Sequence, residues 1–403
     1  MPHLSKRGTE LPTSPIRKLV VFSDEAKARG IEVLHLNIGQ PDIEAPKAAL
    51  EAVRNTPLKL LPYGPSQGEL SYRKKLAKYY SKHQIEVSSE DILVTTGASE
   101  ALTFVLNSIC DAGDEIIIPE PFYANYNGFA STASVKVVPV ISEFNSQFQL
   151  PALENINEKI NSKTKAILLC NPSNPTGYVY SQSEISTLCE LAVSHNIFLI
   201  VDEVYREFIH GDIEHYSVLR HPKGAAHTVI IDSVSKRYSL CGARVGCIVS
   251  KNKALIQNLL KFAHLRLSPP TYALIASEAA LDAPDSYLEG VIAEYGKRRK
   301  VLIEALEQIP EVEVSHPMGA FYCIAKLPVD DAEAFSKFLL TSYQDQDQTV
   351  MLAPATGFYS TPGMGKNEVR IAFILNSDKL LRAAKILELC LRAYKKIQLE
   401  TLV

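Results

Sequence analysis

Between Ile92 and Ile231 the chain alternates short apolar runs with amphipathic stretches, and no other feature constrains the fold as much. The runs are 92–96, 116–118, 136–141, 166–170, 197–201 and 229–231. They are too short for helices. They are apolar in continuous stretches rather than at every second position, as strands buried on both faces are. The intervening segments 99–110, 122–130 and 183–195 carry helical spacing. Ser181 and Glu184 stand in capping-box positions before the last of these. The pattern predicts an α/β fold with a mostly parallel sheet covered by helices. In such sheets ligands bind at the carboxyl ends of the strands.

The flanking sequence reads differently. Residues 1–30 form a polar arm that ends in a short helix over 22–29, and 31–36 is a strand. Helices are expected over 44–60, 69–83, 251–267, 272–306 and 377–399, with Pro284 interrupting or bending the fourth. Strands at 312–315, 320–325 and 369–373 suggest a smaller second layer. A domain boundary is expected near 290–300.

Composition narrows the function. A net charge of −3 implies neither a nucleic-acid surface nor an acidic tail. No apolar run is long enough to span a bilayer, and the N-terminus lacks the apolar core of a secretory signal. The seven cysteines are scattered and contain no CxxC, which points to free thiols in a reducing, cytoplasmic setting. The ten histidines show no metal-binding spacing, so no metal site is expected.

The chemistry sits where the strands stop. After 229–231 comes Ser233-Val234-Ser235-Lys236, and Arg244 follows eight residues later. A lysine at the end of a buried strand is a candidate reactive amine, because burial disfavours its charged form. Two hydroxyls before it and an arginine after it can hold an anion. An amine beside a phosphate cradle suits pyridoxal phosphate, which has an aldehyde to condense with and a phosphate to be gripped. Taken alone, a loop lysine is more commonly just solvated.

The other strand ends agree with the first. Gly97-Ala98-Ser99 leads from a strand into a helix, a turn whose free N–H groups suit a phosphate. Phe122, Tyr123 and Tyr126 offer an aromatic to stack on a flat ring, with core packing the bland role for at least two of them. Asn171-Pro172-Ser173-Asn174-Pro175 is stiff, so an Asn amide there would be held fixed. Asp202 ends a buried strand and needs a partner, and a pyridinium N–H would serve. Asp202 and Glu203 point to opposite faces, which argues against a glycosidase-type acid pair. Arg370 lies inside an apolar strand and needs an anion, either a substrate carboxylate or a structural ion-pair partner. Gly39 either lets backbone pass close to a ligand or only makes a turn.

These motifs, in this order, resemble the class I aminotransferases of pyridoxal-phosphate fold type I, especially their aspartate-aminotransferase-like branch. The resemblance extends from about Ser14 to Leu391. It implies a large domain over 50–290 built on a mostly parallel seven-stranded sheet. It also implies a smaller α+β domain made of both termini, 1–49 and 291–403. Lys236 resembles the Schiff-base lysine, Asp202 the partner of the pyridine nitrogen, and Tyr205 with Asn174 the pair on the ring's 3-oxygen. Tyr123 matches the stacking aromatic. Ala98, Ser99, Ser233, Ser235 and Arg244 match the phosphate grip. Tyr63 matches a tyrosine that reaches the neighbouring subunit's phosphate, implying a homodimer with shared sites. Arg370 matches the arginine for the substrate α-carboxylate, with Gly39 and Asn174 assisting. The implied reaction moves an amino group from an L-amino acid to a 2-oxo acid by a ping-pong route.

Two positions depart from the family pattern. Acid-specific relatives of the animal type carry an arginine where this chain has Ala263, with Arg266 out of register, and some bacterial relatives carry a lysine where it has Ser99. Aspartate or aromatic substrates are expected, with branched and methionine-type amino acids open. A β-lyase of cysteine conjugates would share most of these loops, and a non-catalytic binding protein is the rival from another class. Residues 355–365, rich in Gly and Pro, are expected to form a mobile flap over the substrate.

Overall fold

The computed structural model describes residues 2–11 and 14–401. Its centre is a seven-stranded sheet. The strand order is Ile92–Thr95, Gly246–Val249, Thr228–Ser233, Phe198–Asp202, Thr164–Cys170, Glu115–Glu120 and Lys136–Ile141. All run parallel except Gly246–Val249, which is antiparallel to both neighbours. That strand is the one the sequence reading did not locate. It begins ten residues after Lys236, and the link from Ser233 holds only the short helical turns Val234–Arg237 and Cys241–Ala243, with no covering helix to carry a parallel crossover.

The continuous apolar runs have the expected cause. Side chains alternate along each strand, and both faces are covered. Ile116, Ile118, Leu168, Ile200, Val229 and Ile231 pack into one buried cluster, whereas Ile117, Ile167, Leu169, Val201 and Ile230 pack into the other. The helix Gln182–Ser194 opens with both bonds of its capping box, between Ser181 and Glu184.

A second, antiparallel sheet has the order Ala353–Pro354, Glu368–Ala372, Tyr322–Lys326 and Glu313–Val314. The strand Glu32–His35 pairs in parallel with Gln348–Met351, so the N-terminal segment is joined to the C-terminal part. Leu36 O also accepts from Ala372 N at 2.8 Å. The helix Val20–Ala28 packs beside Ala332–Thr341, which the sequence reading missed along with the strand Gln348–Met351.

Pro284 divides the expected long helix into Thr271–Ala280 and Asp285–Glu307, standing as the N-cap of the second. The boundary expected near 290–300 therefore falls inside a continuous helix. No helix among the described residues is long and apolar enough to cross a membrane.

Candidate active site

The strand ends open onto a cavity of about 750 Å³. Gly39, Ala98, Ser99, Tyr123, Asn174, Asp202, Tyr205, Ser233, Ser235, Lys236, Arg244 and Arg370 all line it. Of the residues given a site role by the family resemblance, Tyr63 alone is elsewhere: it is 80% exposed, on the loop before Gly68.

At one end the cavity is shaped for an anion. Gly97 opens the helix Gly97–Ile109 with φ +77°, a left-handed conformation that glycine adopts without strain. The first N–H groups of a helix have no partner within it. A Cβ on Gly97 would lie 2.5 Å from Arg244 Nη2, so the turn and the guanidinium share one spot. A Cβ on Gly246 would lie 2.8 Å from Ala98 N and 2.7 Å from Asp232 O. Ser233 Oγ and Ser235 Oγ are 2.8 Å apart beside this turn. Arg244 donates to Cys241 O at 3.0 Å and has no carboxylate partner among the described residues.

In the middle stand an amine and an acid. Lys236 is half-buried rather than fully buried, and its Nζ donates to Gly39 O at 2.7 Å. Asp202 Oδ2 accepts from Tyr126 Oη at 2.8 Å, and Oδ1 from Val204 N at 3.3 Å. No basic side chain pairs with it among the described residues. Burial therefore dominates, and its carboxyl is pushed up to about 7. A buried acid in this state is set to receive a cationic N–H.

At the far end lies Arg370, 1% exposed. Its Nη1 donates to Asn174 Oδ1 at 3.1 Å and its Nη2 to Asn37 O. Its Nε is buried without a partner. The guanidinium lies 4.5 Å from the Tyr322 ring centroid and 4.9 Å from that of Phe358. No carboxylate among the described residues pairs with it, so no structural ion pair there holds it. Burial works against its charge and lowers its pKa.

Several participants had no sequence signal. Tyr322 Oη is 2.8 Å from Tyr205 Oη, and a Cβ on Gly39 would fall 1.7 Å from Tyr322 Oη. The tip of Tyr322 therefore leaves no room for a side chain at Gly39. Tyr322 lies two residues from Ile324, the register partner of Arg370, so both sit on one face. Only strand pairing reveals that. Among the three aromatics, Phe122 and Tyr126 are buried and Tyr123 lines the cavity, edge-on to Tyr126 at 5.5 Å. The segment 355–365, expected to be a mobile flap, is instead tied down. Phe122 N donates to Phe358 O at 2.9 Å, and Ser360 N to Glu120 at 2.7 Å.

Comparison with known proteins settles the family. Residues 31–387 match the family of class I and II aminotransferases. The chain belongs to this family. It is 29% identical to an aspartate aminotransferase of Pyrococcus horikoshii over 398 residues, covering 97% of this chain and 98% of that one. Among solved structures it is similar to the Thermus thermophilus aspartate aminotransferase, with a TM-score of 0.88, 27% identity and coverage of 97% of this chain and 100% of that one. An alanine aminotransferase from Pyrococcus furiosus matches almost as well, with a TM-score of 0.87, 27% identity and the same coverage.

The protein is thus a pyridoxal-phosphate-dependent aminotransferase acting on amino and 2-oxo acids. Its own residues fit that cofactor. They supply an anion cradle that no side chain fills, a buried acid without a cation, and an amine between them.

Proposed function

We propose that the cavity residues carry the aminotransferase reaction as follows, with an aspartate-type or aromatic L-amino acid as donor. Lys236 would bond the cofactor aldehyde. Asp202 would pair with the pyridine nitrogen, Tyr205 and Asn174 would hydrogen-bond the ring's 3-oxygen, and Tyr123 would stack on the ring. Ala98, Ser99, Ser233, Ser235 and Arg244 hold the phosphate. Arg370 receives the substrate α-carboxylate, with Gly39 and Asn174 assisting. Bound there, pyridoxal phosphate supplies an electron sink for the charge left on the amino acid's α-carbon. With the substrate amine in its place, Lys236 Nζ would be free to take the proton from the α-carbon and give it back on the far side of the substrate nitrogen, a 1,3-shift by general base and acid. Arg370 orients the substrate so that the α-hydrogen meets that amine.

The observation that carries this reading is Arg370: a buried guanidinium with one N–H unpaired and no acid beside it, in the same cavity as the Lys236 amine. The test is the absorption spectrum of the purified protein with pyridoxal phosphate as single amino acids are added. Wild type converts and recovers with 2-oxoglutarate. Lys236→Ala keeps its fold and loses turnover. A Lys236→Ala protein with full activity would sink the assignment.

We also propose a homodimer in which Tyr63 reaches the partner's phosphate site. Leu60, Leu61, Tyr63 and Leu265 are 80%, 59%, 80% and 84% exposed. Leu60, Leu61 and Tyr63 lie on one loop and Leu265 in the last turn of the helix Lys253–Arg266, the two being joined by the Arg266 Nη2 to Ser66 O bond of 2.9 Å, and exposed apolar side chains grouped in this way mark an association surface. Leu265→Asp should halve the sedimenting mass, and an unchanged mass would count against the dimer face. The division into 50–290 and 1–49 with 291–403 is supported by the pairing of Glu32–His35 with Gln348–Met351. Uniform hydrogen-exchange protection across the boundary would oppose it. Cytoplasmic residence is supported by the seven free thiols and is open to test by fractionation.

A further inference from the structure

Two cavity-lining hydroxyls meet in the middle of the site. Tyr205 Oη and Tyr322 Oη are 2.8 Å apart, and neither has another hydrogen-bond partner among the described residues. Both side chains are buried. Within the pair alone, either hydroxyl can donate. A third oxygen fixes the direction. A phenol has one proton to give and lone pairs to receive with. In the reaction proposed above, Tyr205 gives its proton to the cofactor's 3-oxygen, so toward Tyr322 its oxygen can only accept. Burial first, and Tyr322 next, hold the Tyr205 phenol well above its usual range, so it keeps the proton it has to give.

Tyr322 is placed by contacts that do not use its hydroxyl. It starts the strand Tyr322–Lys326, with Ala372 as its register partner. Its ring stands edge-on to that of Tyr205, with centroids 5.7 Å apart at 85°, and the Arg370 guanidinium lies over its face. Its tip fills the space beside Gly39, whose carbonyl accepts from Lys236 Nζ at 2.7 Å. The hydroxyl therefore stands between Tyr205 and the carbonyl that receives Lys236. Asn174, the other residue assigned to the 3-oxygen, is oriented in a comparable way. Its Oδ1 accepts from Arg370 Nη1 at 3.1 Å, which leaves Nδ2 as its free, donating end.

We propose that Tyr322 is a positioning residue: its hydroxyl donates to Tyr205 Oη, which turns the Tyr205 proton toward the cofactor's 3-oxygen and makes Tyr205 the stronger donor. The inference rests on the assignment of Tyr205 to that oxygen. In a buried site, hydrogen bonds in series polarise one another by about 10–30% per bond. Negative charge on the 3-oxygen is then better stabilised, so the bound cofactor gives up its proton at lower pH.

The test is the pH titration of the holoenzyme's absorption band in wild type, Tyr322→Phe, Tyr205→Phe and the double variant. Phenylalanine keeps the ring and its packing and removes only the hydroxyl. With about 30% of a hydrogen bond to a charged acceptor lost, the Tyr322→Phe midpoint should rise by roughly 0.3–0.7 pH unit. Tyr205→Phe should raise it further. Adding Tyr322→Phe to Tyr205→Phe should then change nothing more, because the hydroxyl acts through Tyr205. Urea unfolding of the cofactor-free protein provides the control, since a merely structural hydroxyl would alter stability and leave the midpoint in place. An unmoved or lowered midpoint in Tyr322→Phe overturns the proposal, as does a shift of undiminished size in the Tyr205→Phe background. Failure of the Tyr205 assignment looks different, because Tyr205→Phe itself would then titrate like wild type.

Discussion

Gly246→Ala is the sharpest single test of how the phosphate end is built. Gly246 starts the antiparallel strand Gly246–Val249 and is register partner to both Thr95 and Ser233. A Cβ there would stand 2.7 Å from Asp232 O, 2.7 Å from Gly97 C and 2.8 Å from Ala98 N. Ordinary contact begins near 3.4 Å, so each approach is about 0.7 Å short. All three atoms are backbone, so no side chain can swing away. The methyl must push its strand from both neighbours or move the Gly97-Ala98 turn. Overpacking of this kind costs about 1–3 kcal/mol. The displaced turn is also the proposed phosphate cradle, so pyridoxal phosphate affinity should fall roughly 10- to 100-fold. Absorbance titration of the cofactor-free protein measures the affinity, and urea unfolding of the same protein measures the stability. A variant that keeps wild-type affinity and stability would refute the steric argument. One that loses stability alone would detach Gly246 from the cradle.

Two further predictions follow from buried charge. Burial raises the Asp202 carboxyl from 3.8 to about 7, so in cofactor-free protein the folded state binds a proton that the unfolded state has released. Stability from this group is full below pH 3.8 and is lost as pH rises to about 7, by up to about 4 kcal/mol. Asp202→Asn should flatten the pH dependence of unfolding across that window, and an unchanged slope would count against the assigned cause. Arg237→Met should destabilise by about 3–5 kcal/mol, because it strips charge-paired bonds from buried Asp232 and Glu207. Adding Glu207→Leu should restore part of the thermal midpoint, and a double variant worse than the single would contradict the pairing.

Six of the seven central strands were legible because each is a continuous apolar run, and the site because its chemistry lies in the loops where those runs stop. Lys236, Asp202, Arg244 and Arg370 were each conspicuous as a charge at or inside an apolar segment. Tyr322 was not, since a tyrosine in a strand reads as core. Its position facing Tyr205 depends on pairing between residues 117 apart in sequence. The 355–365 segment misled because its composition suggests a loose loop, while its backbone is pinned by Phe122 and the buried carboxylate of Glu120.

The period of two along the strands also separates reaction from support. Asp202 faces the cavity, whereas Glu203 turns away to Arg206 at 2.7 Å. Ser233 faces the cavity, whereas Asp232 turns away to Arg206 at 3.2 Å and Arg237 at 2.7 Å. Beyond the strand, Lys236 enters the cavity while Arg237 reaches back to Asp232 and Glu207. Burial alone would raise Asp232, yet the two arginines outweigh it and hold its carboxyl at about 2. A buried network of this kind is a weak source of net stability, because desolvation offsets most of its attraction. Its value here is positional. Asp232 and Arg237 bracket the turn that carries Lys236, so pairing them on the hidden face fixes the residue between them on the open one. Replacing the network with apolar side chains is therefore expected to spare the fold more readily than the placement of the amine.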